Sequence, residues 1–502
     1  MNKLVAATSA LVAGLILPFS FAPYNLWWIA ITSPAVFVVI VKLRPLKESC
    51  LIGWLYGIGF FGGGVSWIHI SLYQFGIPSY FFSIGMTGLF VALIAIYFLV
   101  YAWVLKLFLH RGIPLALIAP ALWVLIEYLR GSAFTGFPWL ILGYSQIDSI
   151  LSGYIPVFGA LGCSWIVLTL SSLLAACFCV PTKKVSTTIF FVGVLLLSGW
   201  GFSKFDQTYS DGTSLDVALV QGAVPQRIKW HESVRDPSIL HYRKLTAEYW
   251  GIDLIIWPET AIPAFGHEVT DTISLLASKA AEEGSTLIFG LPTIGSEGVH
   301  YNSLMAVGEN SGIYHKRHLV PLGEYFPLGD YARRLLKRLS IPMSDFAPGS
   351  LEQPGFYIGD KLVGLSICYE VAFSSLILRS MPTAKLLINV SNDAWFGRSI
   401  AQNQHLQVAR VRALESGRYL LRATNNGITA VIDDKGQVVD SLPQFAPGTL
   451  RSTIELKQGS TIFVKFGIFP LLLVIFTVFF LTGSMRLFRG KNTAARALDI
   501  HL

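Results

Sequence analysis

Apolar residues in this chain form long blocks toward both ends and short runs in the middle. The long blocks lie at residues 4–22, 27–41, 51–68, 81–105, 113–126, 154–180, 188–203 and 466–483. A membrane-crossing helix needs roughly 20 mostly apolar residues, and most of these blocks qualify. The block at 113–126 is short and stops at Glu127, so a re-entrant or buried segment is an alternative there. The first block follows Lys3 and could belong to a cleaved signal peptide. No small-x-small cleavage site precedes the next block, and Pro18 and Pro23 interrupt the region, so a retained helix is expected. Between 205 and 460 the texture changes to short β-like runs alternating with helical ones. The expected organisation is a membrane domain of seven helices over 1–204, an α/β domain over 205–460, and a last helix with its tail over 461–502.

Composition supports a lipid solvent for part of the chain. Hydrophobic residues make up 53% and charged residues 14%, against about 25% charge in soluble domains. Eight spans with both termini inside would place Lys42, Arg44, Lys47, Lys106, Arg111, Lys183 and Lys184 in inner loops. Arg486, Arg489, Lys491 and Arg496 would follow in the tail, and Arg130 is the main exception outside. Positive residues near spans favour the cytoplasm, so residues 205–460 are expected outside it. The net charge of +8 then reads as a topology signal and gives no argument for nucleic acid.

Topology changes the meaning of the cysteines. Of five, Cys50, Cys163, Cys177 and Cys179 lie in or beside apolar blocks, and Cys368 alone falls in the outer domain. A single thiol in an oxidising compartment has no disulfide partner within its domain, which flags it as reactive. No Cys or His cluster has metal-ligand spacing, so neither a metal nor a cofactor is expected. Cys368 stands in "GLSICYE" (364–370), an apolar run followed by Tyr369 and Glu370. A cysteine nucleophile needs a base or a positive neighbour. "DLIIWPETAIP" (253–263) is a buried strand running into Glu259, whose carboxylate at a strand end suits proton transfer. "GIYHKRHLVPLGEYFPLG" (312–329) brings Lys316 after a hairpin whose turn is Asn310-Ser311-Gly312, then Glu324. Either charged residue taken alone could be an ordinary solvated group. "AKLLINVSNDAWFG" (384–397) is another strand ending in a polar turn. "QVARVRALESGRY" (407–419) reads as an amphipathic helix preceded by His405, and a Cys–His pair is a weaker alternative to the Glu and Lys.

"WPET", "HKRHLVPLGEYFPL" and "GLSICYE", in that order and each at the end of an apolar run, resemble the nitrilase superfamily with its Glu-Lys-Cys triad. The flanking spans, "GFPWLILGYSQ" (136–146) and "SNDAWFG" narrow the resemblance to the apolipoprotein N-acyltransferases, over nearly the whole chain. That resemblance implies an α-β-β-α sandwich mounted on eight helices in a bacterial inner membrane, with the catalytic domain periplasmic and both termini cytoplasmic. It implies Glu259 as general base and acid, Lys316 at the oxyanion, Cys368 as nucleophile, and Glu324, Tyr369 and Glu370 in support. Trp230 matches a tryptophan of the family site, and Phe326, Trp395 and Phe396 are candidate lipid contacts. The implied partners are a phospholipid acyl donor, phosphatidylethanolamine first, and a diacylglyceryl apolipoprotein acceptor, served by a monomer. Two rivals remain. A membrane-tethered nitrilase or amidase could use the same triad on a small amide. A transporter would need paired ionisable groups deep in its spans, and only Glu127 and Lys106, both near block ends, come close.

Overall fold

The computed structural model describes residues 2–75, 79–177, 185–321, 323–325 and 346–482. Phe326, Lys183, Lys184, Cys179 and the tail arginines and lysine named above lie outside the described residues. The chain divides into two compact units. One comprises Met1–Gly64, Phe90–Lys204 and Phe466–Leu502, and the other Val65–Leu89 with Phe205–Lys465.

The first unit is helical. Among the described residues of the chain, five helices are long and apolar enough to cross a membrane, or six if one bent pair counts as a single span. Shorter apolar helices occupy Ile29–Leu43 and Phe469–Thr482. The block expected to stop at Glu127 runs on as a helix over Leu115–Ser132. Its charges are tolerated because they are hydrogen-bonded within the interior. Glu127 accepts from Trp123 Nε1 at 3.0 Å and from the Leu142 amide at 2.7 Å. Arg130 donates to the carbonyls of Phe137 and Trp139. Unpaired, either group would cost several kcal/mol in an apolar interior; here they tie down the "GFPWLILGYSQ" segment.

The second unit is built on two six-stranded sheets. The strands are β1 (Thr208–Gln221), β2 (Leu254–Ile256), β3 (Thr286–Ile294), β4 (His300–Gly308), β5 (Gly312–His315), β6 (Phe356–Ile358), β7 (Lys361–Ile367), β8 (Leu386–Ser391), β9 (Leu420–Thr424), β10 (Ala430–Ile432), β11 (Val438–Ser441) and β12 (Gly448–Gly459). Their spatial orders are β12-β1-β2-β3-β4-β5 and β11-β10-β9-β8-β7-β6. Each sheet has a parallel centre, β1-β2-β3 and β7-β8-β9, with antiparallel strands outside. The central strands are nearly continuous apolar runs, as strands covered on both faces must be. Val217, Leu219, Leu254 and Ile256 of one sheet share a core with Val363, Leu365, Ile388 and Leu421 of the other. The opposite face of the first sheet packs on the helices Glu232–Thr246 and Thr270–Glu282 through Tyr242, Trp257, Leu276 and Phe289. The expected layered sandwich is therefore present.

The helix after β8 differs from expectation. It spans Ala401–Ser416, so His405 lies inside it, and it is buried nearly all round instead of amphipathic. Gln402, Gln404, His405, Arg412 and Glu415 look like surface residues in the sequence, yet each finds an internal hydrogen bond.

One contact shows how tightly the sheet end is built. A Cβ on Gly290 of β3 would lie 2.4 Å from the Thr260 amide nitrogen and 2.8 Å from Glu259 Cα. Gly290→Ala should therefore cost about 1–3 kcal/mol through overpacking, read as a lower melting temperature of the purified protein. An unchanged melting temperature would mean the turn after β2 does not need this close approach.

Candidate active site

In α/β sheets, sites collect beyond the carboxyl ends of the parallel strands, and that is where the candidate side chains meet. Glu259 follows β2, Cys368 follows β7, and Asn392 and Asp393 follow β8. Lys316 leaves β5 at the same edge, with its amide donating to the Asn302 carbonyl of β4 at 2.8 Å. Glu259, Lys316 and Cys368 are 6%, 1% and 8% exposed, so their charges act with little screening by water.

The centre is an ammonium between two carboxylates. Lys316 Nζ lies 2.9 Å from Glu324 Oε1 and 3.5 Å from Glu259 Oε1. Asn302 Nδ2 bridges the same two oxygens, donating to Glu259 at 2.8 Å and to Glu324 at 2.9 Å. The other oxygen of Glu259 accepts from the Asn392 amide at 2.8 Å, and that of Glu324 accepts from the Val320 amide at 2.8 Å. With both carboxyls ionised, the trio carries one negative charge in excess. Burial alone would depress the Lys316 pKa; the charges of Glu324 and Glu259 outweigh it and push the net value up, so the ammonium stays charged.

Cys368 responds to the same charges. Burial and the nearby Glu259 push its thiol up, against a smaller downward pull from Lys316. The resting group is thus a thiol that must hand its proton to a base, not a standing thiolate. Its backbone is left-handed at φ +52°, a region non-glycine residues rarely enter.

Glu370 joins the cysteine turn to the lysine segment. Its Oε2 accepts from the Ile367 amide at 2.7 Å and from Tyr314 Oη at 3.0 Å. Its Oε1 accepts from the amides of Arg317 and His318. The fully buried carboxylate has a pKa raised by burial, with these donors and Lys316 pulling the other way. Tyr369 packs its ring on Phe373 at 5.1 Å.

The remaining sequence candidates are dispersed. Trp230 is half exposed and Trp395 is exposed. Phe396 meets Trp67 edge-on at 4.8 Å. His405 points Nε2 at the Cys368 carbonyl at 3.2 Å. That oxygen can only accept, so Nε2 carries a proton and cannot receive one from the thiol.

Several site residues had no distinct sequence signal. Asn302 sits within "YNSLMAVGENSG" at a buried strand position, and only its two carboxylate partners reveal it. Lys229, next to Trp230, is fully buried with Nζ 3.1 Å from Thr260 Oγ1 and 3.4 Å from the Glu259 carbonyl. Burial lowers its amine to about 7, although Glu259 pulls it upward. It holds the turn that presents Glu259, where Thr260 is also left-handed at φ +47°. Among the described residues, no group of three or more acidic, His or Cys side chains could hold a metal ion.

Two family models match this chain. One, described as the apolipoprotein N-acyltransferase N-terminal domain, covers residues 13–173, and the other, carbon-nitrogen hydrolase, covers residues 216–462. An apolipoprotein N-acyltransferase of Photobacterium profundum is 37% identical over 498 residues, covering 96% of this chain and 95% of that protein. One from Methylococcus capsulatus is 38% identical over 469 residues, with 92% of each chain covered. Among solved structures, a CN-hydrolase superfamily protein of Xanthomonas campestris with an arsenic adduct in its active site aligns over 52% of this chain and 97% of its own, at 21% identity and TM-score 0.37.

Glu370→Gln tests the join between the two segments. It turns one accepting oxygen into an amide group facing N–H or O–H donors, and charge-assisted bonds are worth about 1.5–3 kcal/mol each. Turnover should fall by roughly tenfold or more, measured as the initial rate of acyl transfer. An unchanged rate would mean that Glu370 does not set the spacing of Lys316 and Cys368.

Proposed function

Because the chain belongs to the apolipoprotein N-acyltransferase family, we propose that it takes the sn-1 acyl chain from a phospholipid, foremost phosphatidylethanolamine, and delivers it through a thioester on Cys368. The acceptor is the N-terminal α-amine of a diacylglyceryl-cysteine apolipoprotein. The observation that carries this reading is one combination. Near full-length likeness to those transferases occurs in a chain whose single outer-domain cysteine lies by a buried Glu–Lys–Glu cluster.

Glu259 takes the Cys368 proton as Sγ attacks the sn-1 ester carbonyl. The Lys316 ammonium faces the negative charge that develops on the carbonyl oxygen, where a preorganised donor lowers the barrier most. Collapse breaks the ester C–O bond, Glu259 returns its proton to the departing oxygen, and a lysophospholipid leaves. The neutral α-amine then attacks the thioester and gives a proton to Glu259. The C–S bond breaks, the proton returns to sulfur, and the amide product leaves with the thiol restored. Glu324 and Asn302 keep Lys316 and Glu259 in register for these transfers. Trp230, Trp395, Phe396 and Phe326 are candidates for contact with the acyl chains.

The enzyme is proposed to work as a monomer on eight helices of a bacterial inner membrane, with its catalytic domain periplasmic and both termini cytoplasmic. The apolar helices and the distribution of Lys and Arg support this placement. Both substrates are lipid-anchored, and extracting a chain costs about 0.8 kcal/mol per CH₂, which a membrane-mounted site avoids.

The test is the intact mass of purified protein incubated with phosphatidylethanolamine carrying different sn-1 and sn-2 chains, beside Cys368→Ser. Wild type should gain the sn-1 acyl mass as a hydroxylamine-sensitive adduct, and the serine variant should gain no such adduct. An adduct of the sn-2 chain, or unchanged phospholipid with no adduct, would sink the proposed donor chemistry.

A further inference from the structure

Behind the cysteine lies a second buried polar cluster that the acyl-transfer steps do not use. Asn389 of β8, Asp393 of the turn after it, Arg422 of β9 and His405 of the helix Ala401–Ser416 are each at most 1% exposed. Two of them converge on one atom. The Cys368 carbonyl accepts from His405 Nε2 at 3.2 Å and from Asn389 Nδ2 at 3.3 Å. The other two hold those donors in place. Arg422 Nη2 lies 2.8 Å from Asp393 Oδ2 and 2.9 Å from His405 Nδ1, while its Nη1 donates to Asn389 Oδ1. Paired with a guanidinium, Asn389 Oδ1 must face Arg422, which turns its Nδ2 toward Cys368. Asp393 is fixed in turn by the Ser391 hydroxyl at 2.7 Å. It is seated against Gly427, where a Cβ would lie 2.4 Å from its Oδ2. Phe396 braces the His405 ring edge-on at 6.1 Å.

We propose that His405 and Asn389, held by Asp393 and Arg422, are positioning residues that clamp the Cys368 carbonyl and so keep the nucleophile's left-handed backbone aimed for attack. The proposal rests on Cys368 being the nucleophile. L residues rarely enter the left-handed region, so an unheld Cys368 would relax by rotating its peptide. Such a rotation would swing Sγ, and would also turn the Tyr369 N–H, which shares the peptide plane with the clamped carbonyl and points the opposite way within it. Two donors on one oxygen oppose the rotation. Burial and the adjacent Arg422 push the His405 pKa down against the pull of Asp393. Nε2 carries the proton that the Cys368 carbonyl accepts, and Nδ1 lies 2.9 Å from Arg422 Nη2 and 3.0 Å from Asp393 Oδ1.

The test uses the full-length protein and follows thioester formation from phosphatidylethanolamine by intact mass under single-turnover conditions, with lipid concentration and pH varied. His405→Leu should slow the step by roughly 10- to 100-fold, as sub-ångström misplacement of a reacting group does. The half-saturating lipid concentration and the pH profile should stay unchanged. His405→Gln, whose side-chain N–H can reach the same carbonyl, should recover most of the loss. An equally fast His405→Leu, equally slow Leu and Gln variants, or a pH limb lost in His405→Gln would each overturn the clamp. If His405→Leu does not fold, Asn389→Asp keeps the partner of Arg422 while removing the second donor. It should show the same loss in rate, and a wild-type rate there would overturn the proposal. Absence of any adduct in the wild type would overturn the nucleophile assignment and the clamp with it. A normal wild type beside an unaffected variant overturns the clamp alone.

Discussion

A lysine ammonium between two carboxylates, nearly out of water, is the constraint on which the rest of this site depends. Removing one partner from such a cluster would leave an uncompensated buried charge, typically at a cost of 3–5 kcal/mol. The fold therefore has to bring Glu259 from the end of β2 to Lys316 and Glu324 on the segment after β5, and keep them there. It does so through backbone. Lys316 is bonded to β4 at Asn302, Glu259 to the turn after β8 at Asn392, and Glu324 to Val320. Two carboxylates on one ammonium leave one negative charge over when both are ionised. Burial first, and Glu259 after it, keep Cys368 a thiol, which protects a nucleophile expected on the oxidising side of a membrane.

The cysteine is held from two sides. Its turn is fixed on one side by Glu370, which reaches across to the Lys316 segment, and on the other by the polar cluster around Asp393 and Arg422. Most of these buried polar groups are bonded to one another, which offsets the cost of burying them. Here they convert the ends of two sheets into one rigid frame. Geometry and proton affinity overlap at Asp393, which belongs to the cluster that holds the turn and also pushes the Cys368 thiol up.

The main parts of this arrangement were legible in the sequence because each sits where a hydrophobic run stops. Glu259 follows Leu-Ile-Ile-Trp-Pro, and Cys368 follows Gly-Leu-Ser-Ile; a buried strand that ends in a charge or a thiol marks itself. The apolar helices were legible for the same reason. Asn302 was not, because a polar residue within a strand looks like the outward half of an alternating pattern until its partners are known. His405 and the start of its helix were misread for a related reason. Gln402, Gln404 and His405 have the composition of a solvated turn, and only internal hydrogen bonds make their burial possible. The helix through Glu127 was cut short because a charge in an apolar block reads as a boundary, whereas here it is bonded within the interior.

The most direct test of the central claim is the pH dependence of Cys368 alkylation, compared between wild type and Glu259→Gln. If burial and the Glu259 carboxylate hold the thiol protonated, the wild-type midpoint lies above the ordinary cysteine value of about 8.5. Neutralising Glu259 then moves that midpoint down, so the variant alkylates faster near pH 8 although it has lost acyl transfer. A midpoint at or below the ordinary value in the wild type, or one that rises in Glu259→Gln, would contradict the account.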